Sequence, residues 1–436
     1  MHDLICVGFG PAALSVAIAL HDSVAKNSTS SLRVLFIEKQ EQYTWHGGML
    51  LPSARMQISF VKDFATLRDP TSHFTFLNYL HTQGRLVDFV NTSTFYPFRE
   101  EYQHYMHWCA SHFNDRVAYS EQVTGVRAIE TSGSIKAFSV ESCLSSDPST
   151  TIVRNARNVL ICTGGQPRFP PGFPLSGSSN IIHSSSFMYN ISKIEHAVSS
   201  SKSRMNIAVI GAGQSAAEIA SHLHDKFGTQ IDIDQYFSST ALRPSDDSPF
   251  VNEIFNPDAV DEFYSLSADR RRDVLLENRA TNYSVVRMEL IEKIYQDIYA
   301  QKLPGHLKTF RLMPSKRVLS AVEQSDSSVL LTVASLDRDD QITTNQYDLV
   351  IAATGYDKFQ NSSAVLGGIQ KYFIDEKLSV DRFYKVALDK RVDAGLWILG
   401  SSEHTHGISD SLLSIMAVRA GEVVDRIFFE AANKKI

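Results

Sequence analysis

Two glycine-rich segments about 200 residues apart carry the clearest chemical signal in this 436-residue chain. The first runs from Gly8 to Leu14 and the second from Gly211 to Ala217. Each follows a short apolar strand pattern and precedes a helix pattern. In that context glycines let the backbone approach a pyrophosphate at the helix N-terminus. A chain that binds two dinucleotides can pass electrons from one to the other, so the sequence indicates a flavin enzyme that takes hydride from a nicotinamide.

The residues expected to hold the two dinucleotides come from these segments and from one following strand. About thirty residues after the first segment, the apolar run Arg33–Glu38 ends in an acid, which suits a ribose hydroxyl. The resulting assignments are Gly8, Gly10, Pro11 and Glu38 for the first dinucleotide, and Gly211, Gly213, Gln214 and Ser215 for the second.

Composition excludes several other functions. The net charge of −6 gives no sign of a nucleic-acid or acidic-membrane partner, and no apolar run reaches the roughly 18 residues of a membrane helix. Cys6, Cys109, Cys143 and Cys162 have no paired spacing, which indicates core residues in a reducing compartment and argues against a disulfide reductase. A strand pattern begins close behind Met1 and leaves no room for a targeting peptide, so we expect a cytoplasmic location and no metal.

The order of elements predicts an α/β fold with two Rossmann-like dinucleotide-binding domains, one for a flavin and one for a nicotinamide dinucleotide, the second inserted in the first. Strands alternate with helices in both halves, which predicts parallel, doubly wound sheets. The Pro- and Gly-rich stretch Thr163–Pro171 predicts the exit from the first domain, and Tyr347–Tyr356 predicts the return. The expected segments are 1–168 for the first domain, 169–345 for the inserted domain with a small substrate-contacting region at about 243–300, and 346–436 for the return and a closing helix.

Longer stretches resemble the class B flavin monooxygenases, and within them the lysine/ornithine N-monooxygenase family. The resemblance runs from Leu4 to about Phe429 and is greatest to the fungal siderophore type that hydroxylates L-ornithine at N5. The segments that carry it are Met56–Asp63 with Leu67–Pro70, Arg243–Phe255, Thr281–Ser284, Ala353–Tyr356 and Thr405–Ser414.

The resemblance implies a reaction in which the cofactor does the difficult chemistry. FAD would be reduced by NADPH, O2 would be captured as a C4a-hydroperoxyflavin, and the terminal amine of the substrate would attack its distal oxygen. The protein would supply position and exclude water, so no catalytic side chain is expected. The product would be N5-hydroxy-L-ornithine for a hydroxamate siderophore or a related peptide. The resemblance also implies a homotetramer.

Four positions match the family's substrate contacts. Lys62 matches the lysine that binds the substrate carboxylate, and its apolar neighbours favour a buried partner over a solvated lysine. Asn252 and Asn282 match the two positions that hold the ornithine, although from the residues alone helix capping or turn formation is the better explanation. Ser414 matches a serine near the reacting amine and the flavin. Because a free amine has a pKa of ~10.4, we expect a closed, apolar pocket without a carboxylate beside that nitrogen.

The resemblance also supplies the remaining cofactor positions. Met56 and Gln57 match residues against the isoalloxazine ring and the nicotinamide, although core packing explains a methionine equally well. Trp45 is expected to pack beside FAD rather than to catalyse. The other expected cofactor contacts are Lys39, His46, Thr354, Gly355 and Ser411.

One departure from the family bears on the coenzyme. The family has a basic residue a few positions before Arg243, whereas the stretch Asp234–Leu242 has no Arg or Lys. A 2′-phosphate carries up to two negative charges and normally binds a fork of donors. The sequence therefore predicts NADPH as coenzyme, with NADH open as a second one.

Other activities remain open at this point. Lysine is one methylene longer than ornithine, a difference worth only ~1–3 kcal/mol in a pocket. A diamine lacks the carboxylate that Lys62 would bind. An uncoupled NADPH oxidase, or a flavoprotein without catalytic activity, would keep both dinucleotide sites and hydroxylate no amine.

Overall fold

The computed structural model describes residues 1–27, 32–174, 178–337 and 341–429, so the last seven residues of the expected returning segment lie outside the description. The strands are β1 His2–Val7, β2 Val34–Ile37, β3 Val117–Ala118, β4 Glu121–Thr131, β5 Ser134–Leu144, β6 Asp147–Ile161, β7 Gln166–Pro167, β8 Ile181–His183, β9 Met205–Ile210, β10 Ile231–Tyr236, β11 Phe310–Met313, β12 Lys316–Glu323, β13 Val329–Ser335, β14 Ile342–Tyr347, β15 Leu349–Ala352, β16 Tyr356–Asp357 and β17 Gly395–Ile398. The helices are α1 Pro11–Asn27, α2 Phe76–Thr82, α3 Leu86–Asn91, α4 Arg99–Ser111, α5 Ile191–Ser200, α6 Gln214–Phe227, α7 Pro249–Asn252, α8 Ala259–Ser265, α9 Ala268–Glu277, α10 Arg279–Asn282, α11 Met288–Ala300, α12 Gln360–Leu366, α13 Glu403–His406 and α14 Met416–Val424.

The first sheet contains the first glycine segment at the carboxyl end of β1. Strands β3, β2, β1, β6 and β17 are parallel neighbours in that order. The long strand β6 pairs with β1 and β17 through its second half, and with the antiparallel hairpin β4–β5 through its first half. The sequence predicts the parallel part of this sheet and a hairpin turn at Ser145–Thr150, where β5 turns into β6, but it does not predict the hairpin of β4 with β5.

The second sheet repeats the parallel arrangement around the second glycine segment. Its order is β11, β10, β9, β15 and β8, and all neighbours are parallel. Strand β15 therefore belongs to the second sheet, which corrects the expected domain boundary at residue 345. The buried run Leu349–Ala352 fits either sheet by composition, and only its register against β9 and β8 assigns it. A separate antiparallel sheet, β12–β13–β14, completes this half of the molecule.

The chain crosses between the two sheets twice, and the two crossings are hydrogen-bonded to each other. The outward crossing contains β7 and the return contains β16, and these two strands pair antiparallel. The backbone N–H of Arg168 donates to the Gly355 carbonyl at 2.9 Å, and the Arg168 guanidinium donates to the Thr354 carbonyl at 2.9 Å. The predicted exit and return are thus one structural unit.

Both parallel sheets are buried on both faces, which explains their continuous apolar strands. In β1, Leu4 and Cys6 face a core formed with α1, α4 and α14, whereas Ile5 and Val7 face a second core that includes α12. In β9, alternate residues likewise face either the helices α5, α6 and α11 or the sheet β12–β14. Across the described ranges, no helix has the length and apolarity needed to cross a bilayer.

Two buried histidines make the folded state sensitive to acid. Burial lowers the pKa of His183 and of His406 from 6.5 to about 4. The Nε2 atom of His183 lies 3.0 Å from the Gly355 carbonyl oxygen, and that of His406 lies 3.1 Å from the Arg382 carbonyl oxygen. A carbonyl only accepts hydrogen bonds, so Nε2 carries a proton in both rings. In His183 the Nδ1 atom also accepts from the Ser185 N–H at 3.1 Å, so this ring is neutral.

We expect stability to be complete above pH 6.5 and to fall as the pH drops from 6.5 toward 4. Between pH 6.5 and pH 4, these two histidines are protonated in the unfolded chain but mostly neutral in the folded protein. Acid therefore favours unfolding. The variants His183→Gln and His406→Gln should each show a smaller loss of melting temperature between pH 7 and pH 5 than the wild type. The exposed His104→Gln is the matched control and should keep the wild-type loss. An undiminished acid loss in both buried variants would contradict this account.

Candidate dinucleotide and substrate site

The two glycine segments have the same geometry. Gly8 has a φ of +91°, and a Cβ built on it would lie 2.5 Å from the carbonyl oxygen of Cys162. Gly211 has a φ of +144°, and its Cβ would lie 2.4 Å from the carbonyl oxygen of Ala353. Only glycine fits such a turn and approach. In each half, the first glycine therefore packs against the residue that follows the neighbouring strand, β6 or β15.

The backbone hydrogen bonds around these glycines repeat as well. In each half, the N–H of the first glycine donates to the carbonyl of the last residue of β2 or β10. The residue that follows β6 or β15 donates its N–H to the last residue of β1 or β9. These bonds are Gly8 to Ile37 at 2.8 Å, Gly211 to Tyr236 at 2.9 Å, Cys162 to Val7 at 2.8 Å and Ala353 to Ile210 at 2.8 Å. This repetition supports the prediction of two related dinucleotide edges, because it extends beyond the glycine spacing into the neighbouring strands.

The first edge presents open space beside its second glycine. A Cβ on Gly10 would meet no atom of the described residues within 4 Å, and Pro11 begins α1, where a missing N–H costs nothing. Glu38 is buried and accepts hydrogen bonds from the Phe9 N–H at 2.7 Å and the Gln40 N–H at 2.9 Å. The carboxylate is thereby fixed at the end of β2, where the sequence expected a ribose partner.

The second edge is lined by the N-terminus of α6 and by a neighbouring turn. A Cβ on Gly213 would lie 3.6 Å from the Cα of Ser284. The Gln214 side chain donates to Glu218 at 2.9 Å and accepts from the Arg287 N–H at 2.9 Å. Its amide therefore has protein partners at both ends, so the backbone and the half-buried Ser215 remain to meet a pyrophosphate.

The residues expected along the flavin come from one loop of the first unit. Trp45 is half-buried against Tyr102, while the exposed ring of His46 lies 5.7 Å from that of Tyr356. Met56 is buried, and its carbonyl accepts a bond from the Arg287 guanidinium at 3.2 Å. The other two expected residues of this unit, Lys39 and Gln57, are exposed.

Thr354 and Gly355 lie in the return crossing rather than in either sheet. Thr354 donates its hydroxyl to the Arg168 carbonyl, and Gly355 has a φ of +77°. Both residues thus hold the two crossings together, and they follow β15 directly. The described residues contain no group of three His, Cys, Asp or Glu side chains that could hold a metal ion.

Lys62 is a half-buried cation. Among the described residues, no carboxylate lies within ion-pair distance of its ammonium, and burial lowers its pKa. Its carbonyl accepts from the Tyr102 hydroxyl at 3.4 Å, which holds the loop against α4. Burial of an ammonium is unfavourable unless an anion joins it, so this side chain suits a ligand carboxylate.

The two asparagines lie on short helices of the inserted unit. Asn252 ends α7 and donates its amide to the Asp247 carbonyl at 2.7 Å. Asn282 ends α10, and the following residue, Tyr283, packs toward the returning segment. The turn after α7 contacts the turn Ile408–Ser411. The structure therefore brings the asparagine elements to the segment that carries Ser411 and Ser414, while Lys62 comes from a separate loop.

Ser414 has a buried hydroxyl that lacks a hydrogen-bond partner among the described residues. A buried polar atom without a partner is uncommon and usually marks a position where a ligand or water completes the bond. Together with the open space beside Gly10 and the unpaired Lys62 ammonium, this orphaned hydroxyl fits a bound flavin and a polar substrate.

A charged cluster that sequence reasoning missed surrounds Ser411. The Lys358 ammonium donates to Ser411 at 2.5 Å and to Glu403 at 2.7 Å, and the Tyr283 hydroxyl donates to Glu403 at 2.6 Å. Tyr283 and Glu403 hold the pKa of Lys358 above its usual value against the opposing effect of burial. Glu403 is therefore a matched carboxylate rather than a free one. Lys358 lies only four residues after Thr354, an expected cofactor residue, and this closeness in sequence could have identified the lysine.

A second charged pair that the sequence did not reveal, Asp410 with Arg419, packs against the segment that carries Ser411. The fully buried Asp410 carboxylate accepts from the Arg419 guanidinium at 3.1 Å and from the Ser402 N–H at 2.7 Å. The pair fixes both ends of the segment 402–410, which precedes Ser411. An arginine among the apolar residues of α14 was the available signal.

Comparison with known proteins places these features in a family. The sequence profile of the L-lysine 6-monooxygenase/L-ornithine 5-monooxygenase family matches residues 1–358. The chain is 43% identical to the L-ornithine N(5)-monooxygenase SIDA of Beauveria bassiana over 470 residues, which covers 98% of this chain and 85% of that protein. The structure of the ornithine hydroxylase PvdA from Pseudomonas aeruginosa matches with a TM-score of 0.89 and 37% identity over 98% of both chains. The Kutzneria sp. 744 ornithine N-hydroxylase KtzI, solved with reduced FAD, NADP+ and L-ornithine, matches with a TM-score of 0.89 and 35% identity over 100% of both chains.

Two dinucleotide edges joined by paired crossings, together with the similarity to ornithine hydroxylases along the whole chain, define an oxidoreductase of the class B flavin monooxygenase type. The family profile covers well over half of the chain, and the relatives are similar along nearly their whole length. This chain belongs to the L-lysine 6-monooxygenase/L-ornithine 5-monooxygenase family. The predicted fold class and family are thereby confirmed.

The two glycines of the first edge give a test that separates folding from cofactor binding. We expect Gly10→Ala to leave the melting temperature of the cofactor-free protein unchanged but to lower its FAD content, because only the cofactor approaches that Cβ. Gly8→Ala should destabilise the cofactor-free protein itself, because of its positive φ and the Cys162 carbonyl. The measurements are FAD absorbance per chain and thermal unfolding. Full FAD retention by Gly10→Ala would argue against a pyrophosphate at this turn.

Proposed function

We propose that this protein hydroxylates the side-chain amine of L-ornithine, using FAD, NADPH and O2, and releases N5-hydroxy-L-ornithine. The observation that carries the proposal is the unpaired, half-buried Lys62 in a chain that is similar to ornithine hydroxylases from end to end. Bound FAD, once reduced by NADPH, supplies the activated oxygen. The side chains bind, orient and exclude water.

The FAD site is assigned to the first edge and the NADPH site to the second. Gly8, Gly10 and Pro11 form the pyrophosphate turn for FAD, and Glu38 receives its ribose. At the second edge, Gly211, Gly213 and Ser215 take the pyrophosphate of NADPH. The chain order supports this assignment, because the first sheet also carries the loop of Trp45, His46 and Met56.

Four side chains orient the substrate. Lys62 binds the carboxylate, Asn252 and Asn282 accept the α-ammonium through their side-chain carbonyls, and Ser414 lies at the reacting end. The turn after α7 contacts the turn Ile408–Ser411, and Tyr283, which follows Asn282, donates to Glu403, whereas Lys62 comes from a separate loop.

The reacting amine must be neutral before it can be oxidised. Holding it neutral at pH 7 costs about 4–5 kcal/mol relative to a free amine of pKa ~10.4, and a desolvated position lowers that cost. The carboxylate of Glu403 is engaged by Lys358 and Tyr283. This pairing keeps the carboxylate from stabilising an ammonium, which is consistent with the expected pocket.

We propose NADPH as the principal coenzyme, with NADH accepted less strongly. After β10, the segment Phe237–Leu242 supplies hydroxyls but no cation. Arg243 is exposed, and Lys316 joins this segment through a 2.9 Å bond from its N–H to the Phe237 carbonyl. These two cations are the candidates for contact with a 2′-phosphate at the end of β10.

The setting proposed for the enzyme is the cytoplasm, where it would work as a homotetramer and feed a hydroxamate siderophore or a related peptide. Four cysteines without disulfides suit a reducing compartment. Exposed apolar side chains on α11 and the turn after it, namely Tyr295, Tyr299 and Leu303, are available for contact between subunits.

The first experiment compares product formed with coenzyme consumed. The FAD-loaded protein is given L-ornithine, L-lysine or putrescine with NADPH, and separately with NADH. We expect hydroxylated amine in near-equal amount to oxidised NADPH with ornithine, and little product with the other two amines. Tight coupling with lysine instead would reassign the substrate. Peroxide alone with every amine would favour an oxidase or a flavoprotein without hydroxylase activity.

A charge-removing variant tests the carboxylate site. We expect Lys62→Met to lower kcat/KM for ornithine by about 10- to 150-fold, the equivalent of one charged hydrogen bond of ~1.5–3 kcal/mol. Activity toward putrescine should stay unchanged, because putrescine has no carboxylate. The exposed Lys136→Met serves as control. Equal losses for ornithine and putrescine would remove Lys62 from this role.

A further inference from the structure

A buried ion pair joins the two dinucleotide units. Arg99 begins α4 of the first unit, and Glu218 lies in α6 of the second. The guanidinium donates to both carboxylate oxygens, at 2.8 Å and 2.9 Å, and also to the Met49 carbonyl at 2.8 Å. The side chains of Arg99 and Glu218 are only 11% and 8% exposed. Both charges thus lie inside the contact between the units.

The geometry of this pair favours orientation over stability as its role. Two buried charges lose so much hydration that the pair contributes little net stability. A bidentate arginine–carboxylate contact, however, requires one plane and one distance. A sliding movement of either unit would break both bonds together and leave two charges unpaired in an apolar contact. The ion pair therefore favours one relative orientation of the two units.

A ring of hydrogen bonds, closed by the backbone between Ala54 and Met56, connects the pair to the loop of Met56 and to the N-terminus of α6. Glu218 accepts from Gln214 at the start of α6, and Gln214 accepts from the Arg287 N–H. The Arg287 guanidinium then reaches back to the Met56 carbonyl at 3.2 Å. Arg99 completes the ring, because its own N–H donates to the Ala54 carbonyl at 2.7 Å. The ring holds the loop of Met56 against the helix that follows the second glycine segment.

The backbone contact beside the pair is equally specific. A Cβ on Gly48 would lie 1.8 Å from the carbonyl oxygen of Ser185, and one on Gly47 would lie 1.9 Å from the Tyr189 hydroxyl. The first unit thus meets the second through bare backbone at these glycines. Such a contact forms at only one relative position of the two units.

We propose that Arg99 and Glu218 are positioning residues that lock the NADPH unit against the FAD unit, so that the nicotinamide faces the flavin during hydride transfer. The inference rests on the proposed function for its kinetic consequence. Reaction rates depend steeply on alignment, and a misplacement of about 1 Å can cost about a hundredfold. Loss of the pair should therefore slow flavin reduction without weakening the binding of the amine.

The test uses Glu218→Gln, which keeps the shape of the side chain and removes its charge. In anaerobic stopped-flow experiments at saturating NADPH, we expect the flavin-reduction rate constant to fall by about tenfold to a hundredfold. In the cofactor-free protein, amide hydrogen exchange should rise in peptides 45–50 and 183–189, which form the backbone contact. The second readout requires no cofactor and no activity.

The matched control is Asp22→Asn. Asp22 and Arg68 form an ion pair of 2.7 Å and similar burial, 9% and 15% exposed, within the first unit alone. We expect this variant to lose stability yet to keep the flavin-reduction rate and the exchange pattern at peptides 183–189. A rate loss equal to that of Glu218→Gln would overturn the proposal, because it would show a general effect of breaking a buried pair.

A double variant separates orientation from charge burial. Arg99→Met with Glu218→Leu removes both charges and should restore stability, while flavin reduction stays slow. Recovery of the wild-type rate in this variant, or an unchanged rate in Glu218→Gln, would overturn the proposal. If the wild type hydroxylates no amine, the proposed function fails, but the reduction rate and the exchange pattern still decide the role of the pair.

Discussion

The rest of this molecule depends on one constraint: the chain passes between its two sheets twice, and the two passages are paired. Antiparallel pairing of β7 with β16 and the bonds of Arg168 to the return crossing join these passages. Because both passages leave from the carboxyl ends of β6 and β15, the edges that carry Gly8 and Gly211 are brought to the same region. The two dinucleotide units, which fold around separate cores, are thereby held side by side.

The sequence was informative where local geometry requires one residue type. Gly8 and Gly211 were predicted because a positive φ and a close backbone approach leave no alternative, and Glu38 because an acid ends a buried strand. The boundary at residue 345 was wrong because β15 is apolar on both faces and fits either sheet until its neighbours are known. Glu218 was missed for a related reason: its partner, Arg99, is 119 residues away and no local pattern links them.

The proposed substrate site is assembled from three parts of the chain. Lys62 comes from the first unit, the two asparagines from short helices of the inserted unit, and Ser414 from the returning segment. In the sequence, a lysine, an asparagine at a helix end and a serine are common and would not be chosen as functional, whereas the structure adds the half-buried ammonium of Lys62 and the hydroxyl of Ser414 without a partner among the described residues. Their meaning depends on family resemblance and on the fold that brings their elements together. The charged groups beneath them, Asp410 with Arg419, hold the returning segment in place.

The burial of the thiols beside the first edge affects how readily they are oxidised. Cys162 follows β6 and contacts Gly8 through its carbonyl, and burial raises the pKa of its thiol to about 12. Burial also raises the pKa of the neighbouring Cys6 thiol well above its usual value. Peroxide reacts with thiolates rather than thiols. The two sulfur atoms beside the edge proposed for FAD are thus kept in their unreactive thiol form, and their oxidation by peroxide requires β1 or β6 to open.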